Sequence, residues 1–203
     1  MFITFEGVDG SGKTTQLRRL SQYLESRGQR VLKTREPGGT GLAEAIRHAL
    51  LHASEKIDPR TELLLFGAAR AQHVQEIIRP ALQQGKWVLC DRFGDSSVAY
   101  QGGALGLDAA FVRSMNLFAT GELNPAITFL MDLEPRTALK RRGDAGEDRI
   151  EARGLEFQQR VRAAYLEAAR REPFRFVVLD ALLTEDAIAQ KIADIVAQKF
   201  SVG

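Results

Sequence analysis

The sequence predicts an α/β fold in which a five-stranded parallel sheet lies between layers of helices. Strand-like and helix-like segments alternate along the chain, as is typical of parallel strands joined by crossover helices. The most hydrophobic strand, residues 126–133, lacks an alternation of polar and apolar side chains, as expected where helices cover both faces. A glycine-rich loop separates the first strand from the first helix. The 203 residues predict one domain, 1–203.

Five apolar segments mark the strands: residues 1–5, 29–34, 87–90, 126–133 and 174–179. The helices between them have leucine, isoleucine and alanine at helical spacing. Their predicted N-caps are Thr40, Asp58 and Thr184, and another helix should begin after Asp108. Pro80 should kink or end the third helix, and glycines 102, 103 and 106 should form a loop. The spacing of apolar residues also predicts a helix from about 151 to 171.

The stretch Gly7–Thr14 matches the pattern G-x-x-x-x-G-K-[ST] and lies between a predicted strand and a predicted helix. In this arrangement the N–H groups of the loop and of the helix N-terminus point at phosphate oxygens. The motif therefore predicts a three-layer P-loop NTPase fold. Lys13 should reach the β- and γ-phosphates of ATP, and Thr14 should offer its hydroxyl to Mg²⁺. Two of the three glycines could serve packing alone, but packing does not explain Lys-Thr at the first helical turn. The predicted ATP-binding residues of the loop are Gly7, Val8, Asp9, Gly10, Ser11, Gly12, Lys13 and Thr14.

A second constellation follows the strand 87–90. Asp91 ends this strand and should hold Mg²⁺ together with Thr14. Arg92 comes next and suits a two-pronged contact with phosphate, although it could instead form a plain salt bridge with Asp91. Because ligands bind at the carboxyl ends of parallel strands, the segments 7–14, 35–40 and 91–92 should converge on one cleft.

The overall composition argues against several classes of protein. A net charge of +2 does not favour a general nucleic-acid binder. The single cysteine, Cys90, cannot form an internal disulfide and favours a reducing compartment. The chain has neither a signal-peptide pattern at its first residues nor an apolar run approaching the ~18 residues of a membrane span. We therefore expect a cytoplasmic protein without nucleic-acid or membrane partners.

Two further groups of residues have both an ordinary and a functional interpretation. Phe66 and Arg70 share a helix face and could stack on a base and bond its edge, but spacing alone favours a core phenylalanine and a surface arginine. Arg141, Arg142 and Arg149 flank a glycine-containing segment, about 141–150. This segment is either a solvated loop or a lid that brings positive charge to the polyphosphate.

Five segments, taken together, resemble bacterial thymidylate kinase over nearly the whole chain: residues 5–16, 35–40, 65–70, 91–102 and 148–151. The resemblance implies Mg²⁺-dependent phosphoryl transfer from ATP to dTMP and a homodimer. It implies that Phe66 stacks on thymine, Arg70 bonds the carbonyl edge of thymine, and Tyr100 lies where a ribose 2′-OH would clash. The implied catalytic residues are Lys13, Arg92, Asp9 and Arg149, and the implied dTMP-binding residues are Asp9, Pro37, Phe66, Arg70, Arg92, Ser97, Tyr100 and Gln101.

The chain departs from some relatives at two positions: Phe93 stands where they have Tyr, and Glu36 stands where they have Phe. Members without an arginine inside the phosphate loop carry basic residues in the lid, as this chain does. Two alternatives remain open: another P-loop kinase of nucleotides or small molecules, or a nucleotide-dependent switch ATPase. The sequence lacks the Asn-Lys-x-Asp motif with which a GTPase switch reads its base. It also lacks the additional lysine that a partition-type ATPase usually carries in the loop before Gly-Lys-Thr. The second and third helices could form the dimer interface or simply cover the sheet.

Overall fold

The structure is a computed structural model that describes residues 1–142 and 149–201, apart from the side chain of Arg142. Its five strands form one sheet in the order β2-β3-β1-β4-β5, and each neighbouring pair is parallel. The strands are β1 Phe2–Glu6, β2 Val31–Arg35, β3 Trp87–Asp91, β4 Ile127–Asp132 and β5 Phe176–Asp180. The predicted five-stranded parallel sheet is therefore confirmed.

Helices cover both faces of this sheet. On one face, Ile3 and Phe5 of β1 belong to an apolar cluster with Leu20 and Ile192. On the other face, Phe2 packs with residues of the helices that precede β3. The α-helices are α1 Lys13–Ser26, α2 Gly41–His52, α3 Pro59–His73, α4 Arg79–Gln83, α5 Gly94–Ser97, α6 Ala109–Thr120, α7 Pro135–Arg142, α8 Leu155–Arg171 and α9 Glu185–Phe200.

The four predicted helix starts are confirmed by side-chain caps. The Thr40 hydroxyl accepts a hydrogen bond from the Ala43 N–H at 3.1 Å, and Asp58, Asp108 and Thr184 cap α3, α6 and α9 in the same way. Each cap satisfies a backbone N–H that has no partner within its helix. Within the described residues, no helix is both long and apolar enough to cross a bilayer.

Three predicted boundaries differ in part from the structure, and each difference has a local reason. Of the two outcomes predicted for Pro80, an end of the helix is wrong, because helical turns run on from the π-helical turn at Val74–Ile78 through Pro80 into α4; a kink at Pro80 stays a prediction. Gly102 and Gly103 lie in a π-helical segment, Val98–Ala104, rather than in a loop; a Cβ at Gly103 would overlap that of Ala164. The helix predicted at 151–171 breaks at Gly154, so a 3₁₀ turn precedes α8.

Candidate active site

A cleft of about 870 Å³ opens at the carboxyl ends of the strands. The loop after β1, the residues after β2 and the Asp91–Arg92 pair after β3 all line it, so the predicted convergence is confirmed. The loop after β5, residues 181–185, closes another side. The described lining residues from the first three segments are Asp9, Gly10, Ser11, Gly12, Lys13, Thr14, Arg35, Glu36, Asp91 and Arg92.

The glycines of the loop serve two purposes. A Cβ at Gly7 would lie 2.6 Å from the Met131 carbonyl oxygen, and the Ala138 carbonyl oxygen excludes one at Gly10 in the same way. Gly12 has a left-handed φ of 93°, with open space where a Cβ would stand. Gly7 and Gly10 are thus required by packing, whereas Gly12 leaves room beside the N-terminus of α1. Neither Gly7 nor Val8 lines the cleft. The Val8 side chain is buried in the core instead.

Lys13 is almost completely buried beside the loop. Its Nζ donates to the Val8 carbonyl oxygen at 2.9 Å and lies 3.6 Å from Asp9 Oδ1. Burial and the nearby positive charge of Arg92 lower the Lys13 pKa, while Asp9, Asp91 and Glu6 oppose that shift. An ammonium group in this environment gains strongly from an incoming phosphate, because phosphate oxygens replace a neutral carbonyl as its partner.

Thr14 and Asp91 bring two hard oxygen ligands together. The Thr14 hydroxyl donates to Asp91 Oδ2 at 2.5 Å, and both residues line the cleft. Mg²⁺ is commonly held by one or two protein oxygens, with water and phosphate oxygens completing its octahedron. The donor set therefore fits the predicted Mg²⁺ site without further protein ligands. Among the described residues, no group of three or more His, Cys, Asp and Glu side chains is arranged around a metal position.

Arg92 lies at the centre of the site and is held on two sides. Its Nη2 donates to Asp9 Oδ1 at 2.6 Å, and its Nη1 donates to the hydroxyls of Tyr165 at 3.3 Å and Ser96 at 3.4 Å. Its backbone has a left-handed φ of 70°, which is uncommon for a residue other than glycine. The acidic partner of Arg92 is thus Asp9 and not Asp91, the partner that the plain salt-bridge interpretation required.

Behind Arg92 lies Glu6, a buried carboxylate that sequence reasoning did not single out. Glu6 accepts hydrogen bonds from the Phe93 N–H at 2.7 Å, the Ser96 hydroxyl at 2.6 Å and the Tyr165 hydroxyl at 2.7 Å. Burial, followed by the negative charge of Asp95, raises the Glu6 pKa to about 7, although Arg92 and the two hydroxyls act in the opposite direction. The signal in the sequence was a glutamate at the end of the apolar strand Phe-Ile-Thr-Phe-Glu.

The raised pKa of Glu6 predicts a dependence of stability on pH. The ordinary pKa of a glutamate is 4.5 and that of folded Glu6 about 7, so between these values the folded chain holds a proton that the unfolded chain has lost. The contribution of Glu6 to the free energy of unfolding should therefore fall by about 2 kcal/mol as pH rises from about 5 to 8. Urea unfolding of the wild type and of Glu6→Gln at both pH values isolates the contribution of Glu6 to the free energy of unfolding. Parallel pH profiles for the two proteins would contradict the prediction.

A smaller pocket of about 100 Å³ adjoins the cleft. Asp9, Glu36, Arg47 and Arg92 line both spaces, so the two spaces meet along these residues. The Arg92 guanidinium also lies over the Tyr100 ring, 5.3 Å from its centroid. Sequence reasoning missed the described lining residues Arg47, Leu51, Ser96 and Ile150. The residues predicted for dTMP that line this pocket are Asp9, Pro37, Phe66, Arg92, Ser97, Tyr100 and Gln101.

Arg70 is the one predicted acceptor residue that lies behind the pocket wall. Its side chain is 1% exposed, so the interpretation of Arg70 as a surface residue is wrong. Its Nε donates to Glu36 Oε2 at 2.7 Å, and its Nη atoms donate to Ser97, Asn116 and the Phe93 carbonyl oxygen. Glu36 also lies 3.1 Å from His73 Nδ1 and thus orders this buried cluster. Direct contact of Arg70 with a base stays a prediction.

The predicted lid arginines have different surroundings. Arg141 lines the cleft, and its Nη1 donates to the Ala181 carbonyl oxygen at 2.8 Å. Arg149 does not line the cleft in this structure; its guanidinium donates to the Leu50 carbonyl oxygen and to Glu62. The Arg142 side chain and residues 143–148, most of the predicted lid of about 141–150, lie outside the described residues. A catalytic role for Arg149 therefore stays a prediction.

Comparison with known proteins agrees with this arrangement. The family model for thymidylate kinase matches residues 5–192. A thymidylate kinase of Symbiobacterium thermophilum is 50% identical, covering 98% of this chain and 93% of its own, and one of Bifidobacterium longum is 50% identical over 93% of each. The crystal structure of thymidylate kinase from Ehrlichia chaffeensis superposes with a TM-score of 0.79 and 36% identity, covering 97% of this chain and 98% of that one. The chain belongs to the thymidylate kinase family.

Proposed function

We propose that this chain transfers the γ-phosphoryl group of ATP to dTMP, giving ADP and dTDP. The observation that carries the proposal is the junction of a phosphate-loop cleft with a small pocket at Asp9 and Arg92. A reaction between two phosphorylated nucleotides requires such a junction, because the acceptor oxygen must approach the γ-phosphorus in line. The relatives in this family are named for a thymidylate substrate.

On the donor side, the loop N–H groups and Lys13 hold the β- and γ-phosphates. Thr14 and Asp91 would hold Mg²⁺, whose charge neutralises the phosphate oxygens when it is bound. Arg141 lines the cleft next to the loop after β5, in a position to contact the nucleoside of ATP. These residues orient the donor so that its γ-phosphoryl group points toward Arg92.

On the acceptor side, Arg92 spans the junction and suits a bidentate contact with phosphate oxygens. Asp9 fixes the Arg92 guanidinium from one side and is 35% exposed at the same junction. The half-buried Phe66 ring and Pro37 form apolar walls where a flat base can stack. The acceptor phosphate is thereby placed toward the cleft, and its base in the small pocket.

A coupled assay of ADP release with a panel of nucleoside monophosphates tests the proposal. We expect ADP release to require both Mg²⁺ and a monophosphate acceptor, with dTMP turned over most efficiently. Chelation of the metal should abolish turnover, and added Mg²⁺ should restore it. Turnover with another acceptor but not with dTMP would favour the alternative P-loop kinase. ATP hydrolysis that no acceptor stimulates would favour a nucleotide-dependent switch ATPase.

We also infer that the chain forms a homodimer through α3 and α6. Leu64 on α3 and Phe111 and Phe118 on α6 are all at least 60% exposed. The two helices adjoin, since a Cβ at Gly67 would lie 2.5 Å from the Met115 sulfur. Light scattering after gel filtration tests this, and a mass of one chain would contradict it. The exposed apolar face lies on α3 and α6, and Leu42 of α2 is also exposed.

The cytoplasmic location of the protein stays a prediction.

A further inference from the structure

The Glu62 carboxylate of α3 connects the small pocket with Arg149, in the predicted lid, and with Arg153, which follows the lid. It is completely buried, and Gln101 Nε2 donates to its Oε1 at 2.8 Å. On its other sides, Arg149 Nη2 donates to Oε2 at 2.6 Å and Arg153 Nη2 at 2.5 Å. These donors come from parts of the sequence that are 39, 87 and 91 residues away from Glu62. Neither Glu62 nor Arg153 was among the predicted site residues.

The surroundings of Glu62 determine its protonation state. Burial alone would raise its pKa, but the hydrogen bonds from Arg153, Arg149 and Gln101 together lower it below its ordinary value. Glu62 is therefore ionised near neutral pH, and an ionised carboxylate accepts hydrogen bonds but donates none.

This property fixes the orientation of the Gln101 amide. Because Glu62 can only accept, Gln101 must turn its NH₂ group toward Glu62 and its Oε1 away from it. Gln101 is 1% exposed and lines the small pocket, and its Oε1 is buried without a hydrogen-bond partner in the described part of the chain. A buried carbonyl oxygen without a partner is costly, so a ligand that donates a hydrogen bond to it gains affinity.

We propose that Glu62 is a positioning residue that sets the hydrogen-bond polarity of the small pocket through Gln101. The inference deepens the proposed function and rests on it. Thymine and uracil carry a ring N–H that can donate to Gln101 Oε1, whereas cytosine has an unprotonated ring nitrogen at the same place. A cytosine in the pocket would therefore bring two acceptors together, and its binding should be at least tenfold weaker. Glu62 thus selects the base without touching it.

Glu62→Gln tests the proposal, because the new amide is nearly isosteric and has an NH₂ group that can donate to Gln101 Oε1. That bond competes with the wild-type orientation and allows the Gln101 amide to turn over. We expect the KM for dTMP to rise about tenfold and the preference for dTMP over dCMP in kcat/KM to fall at least tenfold. The KM for ATP should stay within about twofold, because Glu62 does not line the donor cleft.

Arg153→Gln is the matched control, since it removes one ion pair from Glu62 and keeps the bond between Glu62 and Gln101. Its preference for dTMP over dCMP should stay within about twofold of the wild type, even where its melting temperature falls as far as that of Glu62→Gln. An unchanged preference in Glu62→Gln would overturn the inference. An equal loss of preference in both variants would also overturn it, because the effect would then come from the arginine contacts.

A measurement on the unchanged protein does not depend on how the variants fold. A methyl group on the thymine ring nitrogen removes the donor, so N3-methyl-dTMP should bind at least tenfold more weakly than dTMP in competition with it. Binding of N3-methyl-dTMP as tight as that of dTMP would overturn this inference alone. Failure of the unchanged protein to phosphorylate dTMP would overturn the proposed function as well.

Discussion

Replacing Lys13 with alanine is expected to lower kcat for dTMP at least 1,000-fold while the protein stays folded. The Nζ of Lys13 is buried, donates to one neutral carbonyl oxygen and lies 3.6 Å from Asp9 Oδ1. Its positive charge is therefore available to the phosphates, where charge develops during transfer. A 1,000-fold loss corresponds to about 4 kcal/mol of transition-state stabilisation.

The fold should tolerate the loss of Lys13, because removal of its ammonium also relieves its repulsion with Arg92. Circular dichroism and a melting temperature close to that of the wild type would establish that the variant is folded. Lys191→Ala is the matched control, since Lys191 is exposed on α9 and its replacement should leave turnover unchanged. Turnover of Lys13→Ala within tenfold of the wild type, in a preparation free of other kinases, would remove Lys13 from the reaction.

The sequence predicts best those parts of the site that are contiguous in the chain. The structure of Gly7–Thr14 is predictable because the glycines, the lysine and the hydroxyl that define it all lie within eight residues. Asp91 is equally predictable, since a carboxylate at the end of an apolar strand must emerge at the ligand-binding edge of a parallel sheet. Helix caps such as Thr40 depend on a hydrogen bond to a residue three positions away, so they too were predictable.

Long-range polar partners were not predictable in this way. Arg70 has the helical spacing of a surface residue, and only the tertiary fold brings Glu36, Ser97 and Asn116 around its guanidinium. Tyr165 reaches the carboxylate of Glu6 across 159 residues of sequence. No local periodicity encodes such pairs, because each depends on the packing of several helices against the sheet.

The π-helical segments were missed for a related reason. Their geometry follows from packing against neighbouring elements, and the intrinsic preferences of Val98–Ala104 do not specify it. The segment nevertheless matters for the site, because it places Tyr100 and Gln101 in the wall of the small pocket. The sequence thus predicted both residues for the site, whereas the backbone that presents them became clear only in the structure.

Arg92 shows how the predictable and unpredictable parts of the site combine. Its place next to Asp91 follows from the sequence, but its orientation depends on Asp9 in front and on Ser96 and Tyr165 behind. Glu6 accepts hydrogen bonds from both of these hydroxyls. The guanidinium is therefore held in place before any ligand binds, which reduces the entropy lost when phosphate oxygens bind.

Replacing Arg92 with lysine is expected to lower kcat about 100-fold, a loss of about 2.7 kcal/mol in transition-state stabilisation. Lysine keeps the charge, but its single ammonium cannot bond Asp9, Ser96 and Tyr165 while also holding two phosphate oxygens. The left-handed backbone at this position disfavours both side chains alike, so backbone strain does not contribute to the difference. The KM for ATP should change by less than about threefold, because the proposed donor site is formed mainly by the loop and Lys13.

Steady-state kinetics with dTMP and ATP varied separately would measure these effects on kcat and on each KM. Arg170→Lys makes the same exchange at an exposed ion pair of α8 with Glu167 and should leave both parameters unchanged. If Arg92→Lys kept wild-type kcat, the fork geometry would be dispensable and a point charge would suffice at the junction. If it raised the KM for ATP as much as it lowered kcat, Arg92 would belong to the donor site and not to the point where the two substrates meet.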